Sequence, residues 1–185
     1  MQVRATGFPG LWLIEPAVFR DERGFFLESF SREAFAAEGL PTDFVQDNHA
    51  CSRAAGVLRG FHFQRPPFTQ AKLVWVVRGA VLDAALDLRR SSPTFGRCFT
   101  VELSAGNFLR LCIPKGFAHA YLTLAPETEF LYKVNAPYTP ALEGGIAWND
   151  PDLGLAWPLA DPLLSAKDRA LPRLRDFESP FVFEG

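Results

Sequence analysis

Short hydrophobic segments separated by turn residues run along most of the sequence. Segments with the length and composition of β-strands lie at residues 10–16, 24–30, 44–52, 56–64, 72–79, 80–88, 97–104, 107–114, 117–124 and 129–135. Turn-forming segments such as RPP at 65–67 and PKG at 114–116 separate them. Many short strands with turns between them are typical of a β-sandwich or barrel. The pattern therefore predicts an all-β protein.

One segment, SREAFAAEG at 31–39, predicts a helix instead. Ser31 is a suitable N-cap, and Gly39 follows just past the helix end. From about Pro140 onward the chain is irregular and rich in Trp and Pro. No linker, charge block or repeat divides the sequence. We therefore expect one domain over 1–185, in which the segment 140–185 wraps over the barrel.

Side chains alternate clearly in the predicted strand AVLDAALDL. Asp83 and Asp87 share one face of this strand, whereas Leu82, Ala84 and Leu86 share the other. Two carboxylates on one face of a strand that has an apolar opposite face indicate that polar groups point into the barrel.

His62 lies in the segment LRGFHFQ and also falls on a strand. Its neighbours at period two are Gly60 and Gln64, whereas Arg59 falls on the opposite face of an ideal strand. Lys72 opens the next strand. By residue type alone, His62 is equally well explained as a core histidine that bonds a backbone carbonyl. Burying several polar groups without partners is costly, however, so the pattern favours a barrel with a polar ligand inside.

The overall charge excludes some classes of partner. The net charge is −2 and the sequence pI is about 5.9. Such a chain has no field that attracts nucleic acid or an anionic membrane, so an anionic ligand needs a local group of Arg and Lys. No apolar run approaches the roughly 18 residues of a membrane span. The N-terminus also lacks the layout of a signal peptide, and we expect a cytoplasmic protein.

The cysteines support that location. They are three in number, Cys51, Cys98 and Cys112, and no CxxC pair occurs. An odd number without paired spacing predicts neither a disulfide framework nor a zinc ribbon. We expect these residues to be buried thiols of a reducing compartment.

The histidines argue against a metal centre. Only His49, His62 and His119 occur, and Gln64 stands where an HxH pair needs its second histidine. A site built from His62 and His119 alone has too few ligands for a transition metal, so we predict none. The sequence also lacks the GxSxG, GxGxxG and P-loop motifs. Acid–base chemistry by His, Tyr, Lys and carboxylates remains.

Several segments together carry a family resemblance. They are FRDERGFFLESF (19–30), FVQDNHACS (44–52), GVLRGFHFQRPP (56–67), QAKLVWVVRGAVLDAALDLRRSSPTFG (70–96), IPKGFAHAYLTL (113–124), EFLYKVNAPYTP (129–140), GGIAWNDPDLGLAWP (144–158) and LSAKD (164–168). In this order and spacing the sequence resembles the dTDP-4-dehydrorhamnose 3,5-epimerase family over nearly its whole length. Departures from the family pattern are few: Ala50, Cys51, Ala120 and Tyr121.

The resemblance implies an all-β jelly roll, a cupin-like double-stranded β-helix with short helices at the periphery. It implies a homodimer with strand exchange at the N-terminus, and catalysis without a cofactor or metal. The implied substrate is dTDP-4-dehydro-6-deoxy-D-glucose, epimerised at C3 and C5 to dTDP-4-dehydro-L-rhamnose.

The resemblance also implies roles for individual residues. His62 matches the general base, Asp168 the carboxylate that orients it, Lys72 the residue beside the substrate ketone, and Tyr132 the general acid. The positions implied to bind the nucleotide, the pyrophosphate or the sugar are Arg23, Glu28, Gln46, Asn48, Arg59, His119, Glu143 and Lys167, with Tyr138 as a wall of the sugar pocket.

Alternatives stay open at this point. Without the resemblance, Tyr132 and Lys72 are better explained as solvated strand residues, and Asp168 as a surface or capping residue. Phe25 and Phe26 are expected in the core rather than against a thymine base. The functional alternatives are an epimerase that inverts one centre of another dTDP-4-dehydro sugar, a non-catalytic sugar-nucleotide-binding barrel, and a jelly-roll metalloenzyme.

Overall fold

A computed structural model describes all of residues 1–185. Its strands are β1 (Gln2–Ala5), β2 (Trp12–Glu15), β3 (Phe19–Asp21), β4 (Gly24–Phe26), β5 (Gln46–Ser52), β6 (Leu58–Gln64), β7 (Lys72–Arg78), β8 (Ala80–Asp87), β9 (Cys98–Ser104), β10 (Arg110–Ile113), β11 (Phe117–Thr123), β12 (Thr128–Val134) and β13 (Glu143–Gly145). The helices are α1 (Arg32–Ala37) and α2 (Ala166–Arg169), with single 3-10 turns at Pro140–Leu142, Pro151–Leu153 and Leu174–Asp176. Strands dominate, as the hydrophobic pattern predicts.

Two antiparallel sheets form the body of the molecule. One sheet has the order β1-β2-β10-β7-β12-β5, and the other has the order β13-β6-β11-β8-β9. The hairpin β3–β4 belongs to neither sheet. Neighbours in each sheet are mostly distant in sequence, which is the connectivity of a jelly roll. The predicted fold class is confirmed.

The largest apolar cluster lies between the two sheets. Val74 and Phe130 of the first sheet pack there against Val81, Leu103 and other residues of the second. A second cluster covers the outer face of the five-stranded sheet, where Ala84 and Leu86 of β8 meet side chains of the C-terminal segment such as Phe181. Alternate residues of β8 therefore pack on different sides of the sheet, as the sequence pattern predicts.

Helix α1 begins and ends where the sequence indicates. The Ser31 side chain accepts a hydrogen bond from the Ala34 N–H at 3.3 Å, and Gly39 has a φ of +68° just beyond the helix. Phe35 and Leu40 pack onto the outer face of the six-stranded sheet, against Leu73. Neither helix of the structure has the length and apolar composition that a membrane span requires.

Some predictions from the pattern are wrong. The predicted strand 24–30 ends at Phe26, because it pairs only with the three-residue strand β3. The edge strands β1 and β13 were not predicted, because they are short and carry little apolar alternation. Phe25 and Phe26 are exposed rather than in the core, since the hairpin belongs to neither sheet.

The cysteines are all free thiols, but their burial differs. Cys112 is buried and Cys98 is partly buried, whereas Cys51 is exposed. The prediction of three buried thiols is therefore wrong for Cys51. It alternates along β5 with Ala50 and Ser52, and it falls on the outer face of the sheet.

Candidate active site

Strand β11 lies in the middle of a polar region on the inner face of the five-stranded sheet. His119 is paired across the ladder with His62 of β6. Two residues further along β11, Tyr121 is paired with Arg59 of β6 on one side and with Asp83 of β8 on the other. Side chains paired across neighbouring strands share a face. The inner face therefore presents two adjacent polar rows.

Arg59 joins this face through a bulge in β6. Two steps along β11, from His119 to Tyr121, correspond to three steps along β6, from His62 to Arg59. The extra residue reverses the alternation, so Arg59 faces the same side as His62. Gly60 occupies the bulge with a φ of +125°, and a Cβ there would lie 2.5 Å from the His119 carbonyl oxygen. The prediction that Arg59 faces away from His62 is wrong for this reason.

The six-stranded sheet forms the opposite wall. Tyr132 and Phe130 of β12, Lys72 of β7 and Ala50 of β5 line the same cavity as His62. This cavity has a volume of about 310 Å³. His62 and Tyr132 therefore belong to facing sheets, and a ligand in the cavity lies between them.

The C-terminal segment supplies the partner of His62. Asp168 Oδ1 lies 2.5 Å from His62 Nε2. Ser165 is the N-cap of α2: its Oγ accepts a hydrogen bond from the Asp168 N–H at 3.1 Å and donates one to Asp168 Oδ2 at 2.8 Å. Burial acts to raise the pKa of Asp168, but the hydrogen bonds from His62 and Ser165 outweigh it and hold that pKa below its ordinary value. The carboxylate is thus ionised beside the imidazole.

A second His–Asp pair lies next to the first. His119 Nε2 is 2.9 Å from Asp83 Oδ2, and both residues are buried. Asp83 Oδ1 has no hydrogen-bond partner. Burial lowers the pKa of His119 below its ordinary value, and the attraction of Asp83 only partly offsets this. His119 is therefore a neutral imidazole at pH 7, with one nitrogen bound to Asp83.

Lys72 is one of three cations that line the cavity, together with Arg59 and Lys167. Desolvation lowers its pKa to about 8, although the charges of Asp83 and Glu143 act in the opposite direction. The ammonium group is therefore mostly protonated at pH 7, but it loses its proton far more readily than an exposed lysine.

A cluster of polar groups adjoins the cavity through Lys167, which lines it. Glu143 forms an ion pair with Lys167 and accepts a hydrogen bond from the Tyr138 hydroxyl at 2.8 Å. Burial acts to raise the pKa of Glu143, but Lys167 and Tyr138 outweigh it and lower that pKa. The Gln46 side-chain amide donates a hydrogen bond to Asn48 Oδ1 at 2.8 Å. Gln46 Oε1 accepts a hydrogen bond from the Tyr138 backbone N–H at 3.1 Å. These five residues form one connected polar surface.

Two residues that the resemblance implies for substrate binding do not reach this cavity within one chain. Arg23 lies in the β3–β4 hairpin, where its guanidinium bonds Asp21. Glu28 follows the hairpin and lines a separate hollow beside Arg110.

Two polar residues expected in the barrel interior are held elsewhere. Asp87 accepts hydrogen bonds from Arg89 at 2.8 and 2.9 Å and from the hydroxyls of Ser92 and Thr94. Gln64 accepts from the Thr139 N–H at 2.8 Å. Neither residue lines the cavity, so the prediction that they point into it is wrong.

Two polar residues that do line the cavity, Ser165 and Tyr121, were not assigned a role from the sequence. The spacing of Ser165 and Asp168 is that of an N-cap and its third helical residue, and this signal identifies the start of α2. No sequence signal places Tyr121 beside the bulged Arg59.

The structure shows no group of three or more His, Cys, Asp or Glu residues arranged to hold a metal ion. His62 and His119 are each bound to a carboxylate instead. Acid–base groups thus dominate the cavity.

The jelly roll and this cavity, with an imidazole–carboxylate pair facing a tyrosine, define a carbohydrate epimerase of the cupin-like class. A family model described as dTDP-4-dehydrorhamnose 3,5-epimerase matches residues 5–176. The chain belongs to the dTDP-4-dehydrorhamnose 3,5-epimerase family and is an isomerase.

Individual relatives agree with this assignment. The chain is 50% identical to the dTDP-4-dehydrorhamnose 3,5-epimerase of Shigella flexneri over 169 residues, which cover 91% of this chain and 93% of the relative. Its sequence is 45% identical to that of the Bacillus anthracis epimerase, whose crystal structure has TDP and PPi bound. The two structures superpose with a TM-score of 0.92 over 94% of this chain and 99% of the relative. The chain is 40% identical to the Legionella pneumophila epimerase in complex with dTDP-4-keto-L-rhamnose, with a TM-score of 0.94 and coverage of 100% and 99%.

Proposed function

We propose that the chain converts dTDP-4-dehydro-6-deoxy-D-glucose to dTDP-4-dehydro-L-rhamnose by inverting C3 and C5, as a step toward dTDP-L-rhamnose. The observation that carries this proposal is the placement of the His62–Asp168 pair and Tyr132 on facing sheets around one cavity. Family membership and the ligand of the Legionella pneumophila relative support the choice of substrate.

His62 is the proposed base. Its Nε2–H donates to the ionised Asp168, so the free lone pair is on Nδ1 and can accept a proton from the sugar. The carboxylate also stabilises the imidazolium that forms, as in other His–Asp pairs. A neutral imidazole is the side chain best suited to this role near pH 7.

Lys72 is the proposed electrophile. Loss of a proton from the carbon next to the C4 ketone leaves an enolate, and negative charge develops on the ketone oxygen. A protonated Lys72 beside that oxygen stabilises the charge. Its partial desolvation strengthens the interaction, because charges attract more strongly away from water.

Tyr132 is the proposed acid. Inversion requires that the new proton arrive on the face opposite to the one that lost it, so base and acid must lie on different walls. Burial raises the pKa of Tyr132, which keeps the phenol protonated at neutral pH and able to donate. Its position on the six-stranded sheet, across the cavity from His62, supports this role.

The remaining polar groups of the cavity are proposed to bind the nucleotide and the sugar. Arg59 forms no ion pair within the chain and is available to a phosphate group. The other proposed binding residues in the cavity or at its mouth are Gln46, Asn48, His119, Tyr138, Glu143 and Lys167.

We further propose a homodimer. The β3–β4 hairpin exposes Phe19, Phe25 and Phe26, each more than half accessible. An exposed apolar patch of this kind marks an interaction site. Arg23 and Glu28 do not reach the cavity of their own chain. In the proposed dimer the hairpin docks on a second copy, and these two residues bind the substrate in the cavity of that copy.

The proposed chemistry needs no cofactor, because every step is a proton transfer between carbon and a side chain. The three free cysteines support a cytoplasmic location, where thiols stay reduced.

Deuterium incorporation tests the proposed function. In deuterated water the wild-type chain is expected to place deuterium at both C3 and C5 of the substrate. His62→Asn is expected to abolish this exchange, whereas Asp168→Asn is expected to slow it by roughly 10- to 100-fold through loss of a charge-assisted hydrogen bond. His49→Asn is the matched control, because His49 is exposed and bonds Glu129 outside the cavity.

The labelling pattern also separates the alternatives. Deuterium at one carbon only would identify a single-centre epimerase. Binding of the substrate without any exchange would identify a non-catalytic barrel. Wild-type exchange in His62→Asn would show that another group is the base.

A further inference from the structure

Tyr121 is a cavity residue that the proposed chemistry does not use. It lies on β11 between Arg59 and Asp83, and it is 5% exposed. Its ring is stacked on Phe130 with a centroid distance of 4.1 Å and an interplanar angle of 14°. This contact joins the two facing sheets across the cavity.

The stacking accounts for the ring, and the Tyr121 oxygen accepts a hydrogen bond from Ser52, which leaves the phenol's own proton free to be donated. A phenylalanine would make the same apolar contact without burying a polar group, which is costly unless a partner is present. Burial raises the pKa of Tyr121 to about 12, although Arg59 and the hydroxyl of Ser52 act in the opposite direction. The phenol is therefore protonated at neutral pH, and its O–H group can donate to a ligand in the cavity.

The two polar rows divide the cavity by chemistry. His62 and His119 form one row, and Arg59 and Tyr121 form the other, two residues along β11. Two residues of a strand span about 6–7 Å, which is roughly the width of one sugar ring. A sugar held at His62 therefore brings the first phosphate group to the row of Arg59.

We propose that Tyr121 binds substrate by donating a hydrogen bond from its hydroxyl to a phosphate oxygen of the nucleoside diphosphate held by Arg59. This inference rests on the proposed function, since it takes a nucleoside diphosphate sugar as the ligand. It adds a second phosphate donor to the cation of Arg59. A neutral donor directly beside a guanidinium complements a phosphate, whose oxygens accept several hydrogen bonds.

The test is Tyr121→Phe, which keeps the ring stacked on Phe130 and removes only the hydroxyl. Calorimetric titration with thymidine diphosphate is expected to show a dissociation constant roughly 10- to 150-fold higher than in the wild type, as for loss of a hydrogen bond to a charged group. KM for the 4-dehydro sugar is expected to rise by a similar factor, with kcat unchanged. Affinity for thymidine, which lacks phosphate, is expected to be equal in both proteins.

An unchanged affinity for thymidine diphosphate in folded Tyr121→Phe would overturn the inference. So would a lower kcat at unchanged KM, because the hydroxyl would then act in the chemistry. If Tyr121→Phe loses its fold, Tyr121→Leu gives a second measurement: its loss of affinity must be larger for thymidine diphosphate than for thymidine. A wild-type chain that binds thymidine diphosphate but does not epimerise the sugar would refute the proposed function and leave this inference standing.

Discussion

The charge of Lys72 should set the alkaline limit of catalysis. This residue lies in the cavity where the enolate oxygen is proposed to form, and desolvation lowers its pKa to about 8. The ammonium stabilises the enolate only while it is protonated. A rise in pH through the pKa removes the positive charge, so the catalytic efficiency should fall over the same range. An exposed lysine would keep its charge to above pH 10.

The size of the effect follows from this pKa. With a value of about 8, about nine tenths of the molecules carry the charge at pH 7 and about one tenth at pH 9. The value of kcat/KM should therefore fall about tenfold for each pH unit well above 8. This parameter reports groups of the free enzyme, which is the state that the structure describes. Burial raises the pKa of Tyr132, so loss of the phenolic proton should not contribute below pH 10.

The assay measures kcat/KM between pH 6 and pH 10. The rate is read from deuterium incorporation at C3 and C5. Lys72→Arg is the diagnostic variant, because a guanidinium stays charged throughout this range. Its rate should be lower at pH 7, since the larger group fits the cavity less well, but its alkaline limb should move beyond pH 10. Lys115→Arg is the matched control, since Lys115 is exposed outside the cavity and should leave the profile unchanged.

Two results would refute the reasoning. A wild-type profile that stays flat to pH 10 would mean that Lys72 keeps its proton or that its charge is not needed. An alkaline limb near pH 8 that persists unchanged in Lys72→Arg would assign the titration to another group.

The remaining predictions concern the bulge in β6 and the hairpin. Gly60→Ala should destabilise the chain by roughly 3 kcal/mol or more in urea unfolding, because its Cβ would meet the His119 carbonyl oxygen at 2.5 Å. Gly154→Ala, also at positive φ but with open space around it, should cost only about 1 kcal/mol, and equal losses would contradict the steric explanation. Light scattering should give twice the 20.6 kDa mass of one chain, and Phe26→Asp should shift it toward the monomer; a monomeric wild type would refute the dimer.

Local patterns predicted most elements of the fold. The alternation of β8 separates Asp83 from Ala84 and Leu86, and the structure packs these residues on different sides of the sheet. Ser31 and Gly39 delimit α1 as predicted, because capping depends on a few neighbouring residues. The predicted strand at 24–30 is too long, because the paired length depends on a short partner strand that the pattern does not show.

Residue type and alternation alone predicted the site less completely than the fold. His62, Lys72 and Asp83 were expected inside the barrel, and all three approach or line the cavity. The same reasoning placed Asp87 and Gln64 there, yet both bond groups outside it. A polar residue on the inner face of a strand has two possible fates, a ligand or a local partner, and composition does not distinguish them.

The sequence by itself determined the all-β class, the positions of most strands and the helix after the hairpin, because period-two alternation, capping and turn chemistry depend on residues close in the chain. Only the tertiary structure decided that Arg59 faces the cavity, through a bulge at Gly60, and that Asp168 reaches His62 from 106 residues away. Both depend on how distant strands and the C-terminal segment pack together. The register between distant strands and the packing of the C-terminal segment bring His62, Asp168 and Tyr132 to a single cavity.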